Sequence, residues 1–288
     1  MKFKLIILFL FFIINLFSNN FDYYYSLANR YEKQRRFKLA EYYYQQAVYK
    51  DKYSFVAYNN LGNTQVQNGK YETAIKSYRK AIFINPHYSL AYSNLGIVFL
   101  HKSFFDRAKD NFDKAIQLDS SNHSAFYNLG KYYKTQKKIE KSIEPLLIAI
   151  NLEGKNALYW FEIAHSHFLL GEYDKSYTSF LKSKKYDPQV GETYVFLGNI
   201  FMKKMERKKG IKNYKMAASL GNENAQTWLD NNGYKWKLKK KKKKPFWLFW
   251  KKNKVEIESD ETIKKEDKKP FWLFWKKDKT KEVKQKND

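Results

Sequence analysis

The sequence repeats itself every 34 residues, and no other feature narrows the possible folds as far. Tyr58-Asn59-Asn60-Leu61-Gly62 aligns with Tyr92-Ser93-Asn94-Leu95-Gly96 and with Phe126-Tyr127-Asn128-Leu129-Gly130. Six windows, 21–54, 55–88, 89–122, 123–156, 157–190 and 191–224, follow without insertion or deletion. Their fourth position is aromatic (Tyr24, Tyr58, Tyr92, Phe126, Trp160, Tyr194), and their seventh is a branched aliphatic (Leu27, Leu61, Leu95, Leu129, Ile163, Leu197).

Three further positions hold only small residues. The eighth has Ala28, Gly62, Gly96, Gly130, Ala164 and Gly198; the twentieth has Ala40, Ala74, Ala108, Ser142, Ser176 and Gly210. The twenty-seventh has Ala47, Ala81, Ala115, Ala149, Ser183 and Ala217. Gly, Ala and Ser account for 44 of 288 residues, so eighteen small residues at eighteen fixed sites require a packing rule rather than a composition bias. Small side chains let two helix backbones approach, and large ones nearby fill the space beside the contact. Each window therefore reads as two helices of about 12–14 residues joined by a turn such as Gln67-Asn68-Gly69 or Leu170-Gly171, with Pro86 and Pro188 at window ends.

This pattern resembles the tetratricopeptide repeat (TPR) family, whose W-x-x-L-G-x-x-Y, A-x-x-x-F and late-Pro signature recurs at the same period. The resemblance spans 204 of 288 residues. It implies an all-α fold: an α-solenoid of six helix-turn-helix repeats in a right-handed superhelix. A capping helix over 225–231, in a segment starting at Glu223 and including Trp228, would cover the last repeat. Window six departs most, with Arg207 where the others have Phe37, Tyr71, Phe105, Ile139 and Tyr173, and with Gly210 inside its second helix. It is expected to be the least stable.

The resemblance also implies a binding groove on the concave side, lined by the second, fifth, sixth, ninth and twelfth or thirteenth positions of each first helix. Asn60, Asn94 and Asn128 recur at the sixth position, and Asn63 and Lys131 stand at the ninth. Asn amides offer a donor and an acceptor to the backbone of an extended protein segment, though Asn is also common at such positions for structural reasons. The basic clamp that chaperone-binding members build is not matched, because Asn59, Leu90 and Ser93 occupy its positions.

Nothing in the sequence points to a catalyst or a cofactor. His165 and His167 are two apart and point about 200° from one another on a helix, so they cannot share a metal; His167 falls at an aromatic core position. Two S-x-x-K matches, at Ser77–Lys80 and Ser179–Lys182, fall in second helices whose aromatic residues are core positions. No glycine-rich phosphate loop, H-E-x-x-H or G-x-S-x-G is present. The absence of cysteine excludes disulfides, thiolate sites and a lipid-modified N-terminal Cys.

Residues 1–20 carry Lys2 and Lys4, an apolar run from Leu5 to Phe17 broken only by Asn15, and a polar exit at Ser18-Asn19-Asn20. This is the layout of a secretory signal peptide, and the run is short of the roughly 20 residues needed to span a bilayer. Export to the periplasm or cell envelope is expected, with an uncleaved N-terminal anchor as the alternative. Residues 232–288 hold 21 Lys and 9 acidic residues with no helical or strand period, the composition of a disordered tail. Within it Lys-Lys-Pro-Phe-Trp-Leu-Phe-Trp-Lys-Lys occurs twice, presenting Phe246, Trp247, Phe249 and Trp250, then Phe271, Trp272, Phe274 and Trp275.

Lysine-flanked aromatics suit an anionic membrane surface, where rings enter the headgroup layer. They also suit a partner protein's apolar groove. Nucleic acid is disfavoured, since it requires a cytoplasmic chain. The function expected is a non-enzymatic scaffold that binds a protein partner in its groove and an anionic membrane or a partner through the tail. The alternative is a soluble chaperone or assembly factor whose tail docks to protein alone.

Overall fold

Helical hairpins succeed one another through residues 20–238, the residues described by the computed structural model of the chain. The chain divides into two units, Met1–Lys239 and Lys240–Asp288, and every described residue belongs to the first. The first helix of each repeat begins at the first residue of its window: α1 (Phe21–Lys33), α3 (Phe55–Gln67), α5 (Ser89–His101), α7 (His123–Thr135), α9 (Ala157–Leu169) and α11 (Gly191–Lys203). The second begins sixteen residues later: α2 (Phe37–Lys50), α4 (Tyr71–Ile84), α6 (Phe105–Leu118), α8 (Ile139–Leu152), α10 (Tyr173–Tyr186) and α12 (Arg207–Ser219). The array ends in α13 (Glu223–Asn231), and no strand occurs among the described residues.

One turn geometry joins the two helices of every repeat. The fifteenth residue of each window, Arg35, Gly69, Ser103, Lys137, Gly171 and Met205, has a positive φ of 57–78°. The next N–H then reaches back five residues to a carbonyl of the first helix, as Lys70 does to Gln65 (2.8 Å) and Glu206 to Phe201 (2.8 Å). This Schellman-type ending satisfies carbonyls that the helix leaves unpaired. Only two of the six positions are glycine, so the remaining turns were not legible from glycine alone.

All eighteen small residues are buried. Their purpose is clearest at the eighth position, which receives the large side chain of the twenty-fourth. An ideal Cβ on Gly62 would lie 2.5 Å from the Tyr78 ring, one on Gly96 would lie 2.6 Å from Phe112, and one on Gly130 would lie 2.6 Å from Leu146. Serines at the other small sites have their hydroxyls bonded: Ser176 donates to the Ala164 carbonyl (2.8 Å), and Ser142 meets Ser166 (2.9 Å). Burying these polar atoms therefore carries no penalty for an unmade bond.

Successive first helices approach one another directly from repeat two to repeat five, which puts them on the inner side of the array. In repeat six, α12 forms through Gly210, where an added Cβ would meet the Met202 sulfur at 2.6 Å and the Gly198 carbonyl at 3.3 Å. The capping helix covers this close contact: Trp228 packs on Tyr214 (ring centroids 4.3 Å apart) and stacks on Tyr234 (6.1 Å). Tyr234 and Trp236 thus belong with the cap, although composition places them in the tail that starts at residue 232. Stacking on Trp228 recruits Tyr234, and the Trp236 indole N–H donates to Asp230 (2.8 Å), contacts that charge and hydropathy patterns do not reveal.

At the other end, Asn20 caps α1 by accepting from the Asp22 N–H at 3.2 Å. Residues 1–19 and both aromatic decapeptides, including Phe246, Trp247, Phe249, Trp250, Phe271, Trp272, Phe274 and Trp275, lie outside the described residues. No helix among the described residues is long and apolar enough to cross a membrane.

Candidate functional site

The sixth-position asparagines sit on the inner helices and form a ladder between repeats. Asn60 Nδ2 donates to the Tyr25 hydroxyl (2.9 Å), Asn94 Nδ2 to Asn59 Oδ1 (2.9 Å), and Asn128 Nδ2 to Ser93 Oγ (3.3 Å). Each bond runs from the sixth position of one repeat to the fifth of the repeat before it. The residues that break the family's basic clamp, Asn59 and Ser93, are therefore the acceptors of the ladder. Asn60 Oδ1 accepts from Asn59 Nδ2 (3.2 Å), whereas the side-chain oxygens of Asn94 and Asn128 receive no protein donor among the described residues.

Asn63 has a different task. Its Oδ1 accepts the hydroxyl of Tyr78 at 2.8 Å, and the same pairing joins Asn29 to Tyr44 (2.6 Å) and Asn199 to Tyr214 (2.5 Å). Where the twenty-fourth position lacks a hydroxyl, in Phe112, Leu146 and Phe180, the ninth position is Ile97, Lys131 and His165. Burial pushes the Tyr44 and Tyr78 hydroxyls well above their ordinary pKa, which keeps them protonated as donors. Asn63 is thus tied to the core, and the match between ninth and twenty-fourth positions was a signal present in the sequence.

Below the ladder lies a charged cluster that the sixth-position pattern did not indicate, because repeat five carries Glu162 there in place of Asn. Lys134 of α7 donates to Glu162 of α9, and the Lys134 ammonium lies 3.0 Å from His165 Nδ1. Burial opposes charge on Glu162, yet Lys134 and Lys131 together outweigh it and hold the carboxyl below its ordinary value. Lys131 places its ammonium over the Tyr127 ring at 5.4 Å. The Tyr127 hydroxyl is raised well above its ordinary pKa, by burial first and then by Glu162. Along one inner face the residues thus run from amides at repeats two to four to a charged cluster in which repeat four supplies Lys131 and Lys134 and repeat five supplies Glu162 and His165.

The two histidines diverge. His165 packs against Phe161 and Phe196, while His167 directs Nδ1 to the Glu172 carboxylate instead of serving only as a core aromatic. No group of three or more potential metal ligands occurs among the described residues.

Comparison with known proteins agrees with this architecture. Profiles described as TPR repeat and tetratricopeptide repeat match residues 62–103, 43–76 and 157–190, the last being window five in full. The chain carries tetratricopeptide repeats. Among solved TPR-type structures, that of Pseudomonas aeruginosa PilF is 18% identical, with a TM-score of 0.63 over 73% of this chain and 97% of that one. YrrB, described as a TPR protein with an unusual peptide-binding site, is 21% identical, with a TM-score of 0.50 over 66% of this chain and 97% of that one. A chain of the APC/C hetero-tetramer Cut9–Hcn1 is 14% identical, with a TM-score of 0.69 over 76% of this chain and 44% of that one. At these identities the likeness establishes the fold alone. A search of curated protein sequences returns no match. TPR proteins are protein–protein interaction scaffolds.

Proposed function

We propose that this TPR protein is a non-enzymatic scaffold of the cell envelope that holds an extended protein segment along the inner face of repeats two to five. The observation that carries the proposal is the amide ladder. Asn94 and Asn128 are pinned by bonds to the preceding repeat, and each keeps an acceptor oxygen without a protein donor among the described residues. Amides fixed in advance bind a peptide backbone with less ordering cost than free ones. Lys131 adds a cation at the end of the ladder, which favours a partner segment with an acidic residue in that register.

Export rests on the sequence of residues 1–20, and membrane association on the two lysine-flanked aromatic decapeptides. Crosslinking pull-down from cells tests the groove and the tail separately. The full chain is compared with a chain ending at Leu238, which keeps Tyr234 and Trp236 on the cap, and with a full chain carrying Asn94→Ala, Asn128→Ala and Lys131→Glu. A partner lost only in the triple variant belongs to the groove, and one lost only on truncation belongs to the tail. If neither change removes a partner, the proposal fails. If the truncation removes only proteins and the full chain leaves anionic vesicles untouched, the tail docks to protein in an assembly factor.

A further inference from the structure

Repeats one and two expose aromatic rings at places where the other four repeats are polar. The twenty-ninth position, at the C-terminal end of the second helix, is Tyr49 in repeat one and Phe83 in repeat two, then Gln117, Asn151, Lys185 and Ser219. In repeat one the thirty-third position is Tyr53. Tyr49, Tyr53 and Phe83 are 69%, 81% and 77% exposed, values far from those of aromatic residues with a packing role.

These residues share one edge of the array. Each repeat is an antiparallel hairpin, so the end of a second helix lies beside the start of its first helix, as the bond from Ser89 to the Ala115 carbonyl (2.9 Å) shows in repeat three. In repeat one this places Tyr49 and Tyr53 at the end of the hairpin where α1 starts at Phe21. Phe83 occupies the same register one repeat further on. The described chain also starts at this edge, with Asn20 capping α1.

The edge is also basic. Lys50 places its ammonium 5.6 Å from the Tyr49 ring centre, and Lys80 places its own 5.0 Å from that of Phe83. Lys52 and Arg79 are exposed nearby. The intervening acid, Asp51, accepts the Tyr53 backbone N–H at 2.8 Å. Aromatic rings with ammonium groups beside them match the headgroup layer of an anionic bilayer, where rings sit among acyl ends and cations meet phosphates.

We infer that this edge is a lipid-contacting surface that lays the first two repeats against an anionic membrane, independently of the tail. The basic charge beside the rings and the rings' exposure favour anionic lipid over a second copy of the chain, whose own edge would carry the same charge.

The chain has no cysteine, so single Tyr53→Cys, Phe83→Cys and, as control, Lys185→Cys variants of the full chain accept one polarity-sensitive dye each. They are mixed with vesicles of phosphatidylglycerol and phosphatidylcholine, or of phosphatidylcholine alone, containing nitroxide-labelled lipid. Flotation of the same samples reports binding by any route, including the tail. The expected result is a blue shift and nitroxide quenching at positions 53 and 83 on anionic vesicles, with neither at 185. Replacing Lys50, Lys52 or Lys80 by Gln in a chain with Trp247, Trp250, Trp272 and Trp275 changed to Ala should weaken partitioning roughly fivefold per lysine.

A chain that floats while its labels at 53 and 83 stay water-exposed overturns this inference and leaves the tail proposal standing. A chain that does not float overturns both. A blue shift that needs no vesicles and grows with protein concentration assigns the edge to a second copy, which also overturns the inference.

Discussion

Gly96 shows how one missing Cβ shapes a repeat. The Phe112 ring is fully buried over it, and an added methyl would stand 2.6 Å from that ring. Alanine is the better helix former by about 1 kcal/mol, but overpacking a filled core costs about 1–3 kcal/mol. Gly96→Ala should therefore lower thermal stability, whereas Gly198→Ala, whose Cβ would lie 3.0 Å from Tyr214, should lower it less. Circular-dichroism melting of the two variants ranks them.

The ion pair of Lys134 and Glu162 bears on pH. The folded carboxyl is held below its ordinary 4.5, so the pair stabilises the fold above that pH and loses its effect as pH falls through the lower folded value. Glu162→Gln should accordingly be less stable at pH 7, on the order of 2 kcal/mol. The difference should close in acid, as chemical denaturation at a series of pH values would show.

At the scale of single elements, the sequence predicted helix existence and register well, because the 34-residue period fixes where every hairpin must begin. The starts of all six first helices coincide with the window starts, from Phe21 to Gly191. What it concealed were features that depend on neighbours. Pro145 lies inside α8, where local rules would end a helix, yet the helix runs from Ile139 to Leu152. The proline is buried, and core packing of Leu146 and Ile150, which follow it on the same helix, maintains the helix through it. Four turns likewise hold a non-glycine residue at positive φ: Arg35, Ser103, Lys137 and Met205. Such a residue costs about 1 kcal/mol or more relative to glycine. Met205 is 90% exposed and makes little packing contribution. Met205→Gly should raise stability by about 1 kcal/mol or slightly less, after the greater freedom of glycine in the unfolded chain is counted. Urea unfolding midpoints would detect it.

For the whole molecule, the candidate site was only partly legible. Asn60, Asn94 and Asn128 were visible as a recurring sixth position, but their donors turned out to join one repeat to the next. That role depends on a partner 35 residues away. Asn63 looked equivalent and instead anchors Tyr78, while Lys131 has a neighbour, Glu162, that no motif connects to it. A face assembled from separate repeats becomes visible only when the repeats are stacked.

Partner binding along that stacked inner face is tested by site-specific photocrosslinking. A photoreactive amino acid is placed in cells at exposed inner positions, Leu90 and Leu158 on first helices, and at exposed outer positions, Lys76 and Thr178 on second helices. Partner adducts are expected from Leu90 and Leu158 and should disappear in the Asn94→Ala, Asn128→Ala, Lys131→Glu chain. Adducts arising only from Lys76 and Thr178, or equally from all four and unchanged by the triple substitution, would contradict binding along the inner face.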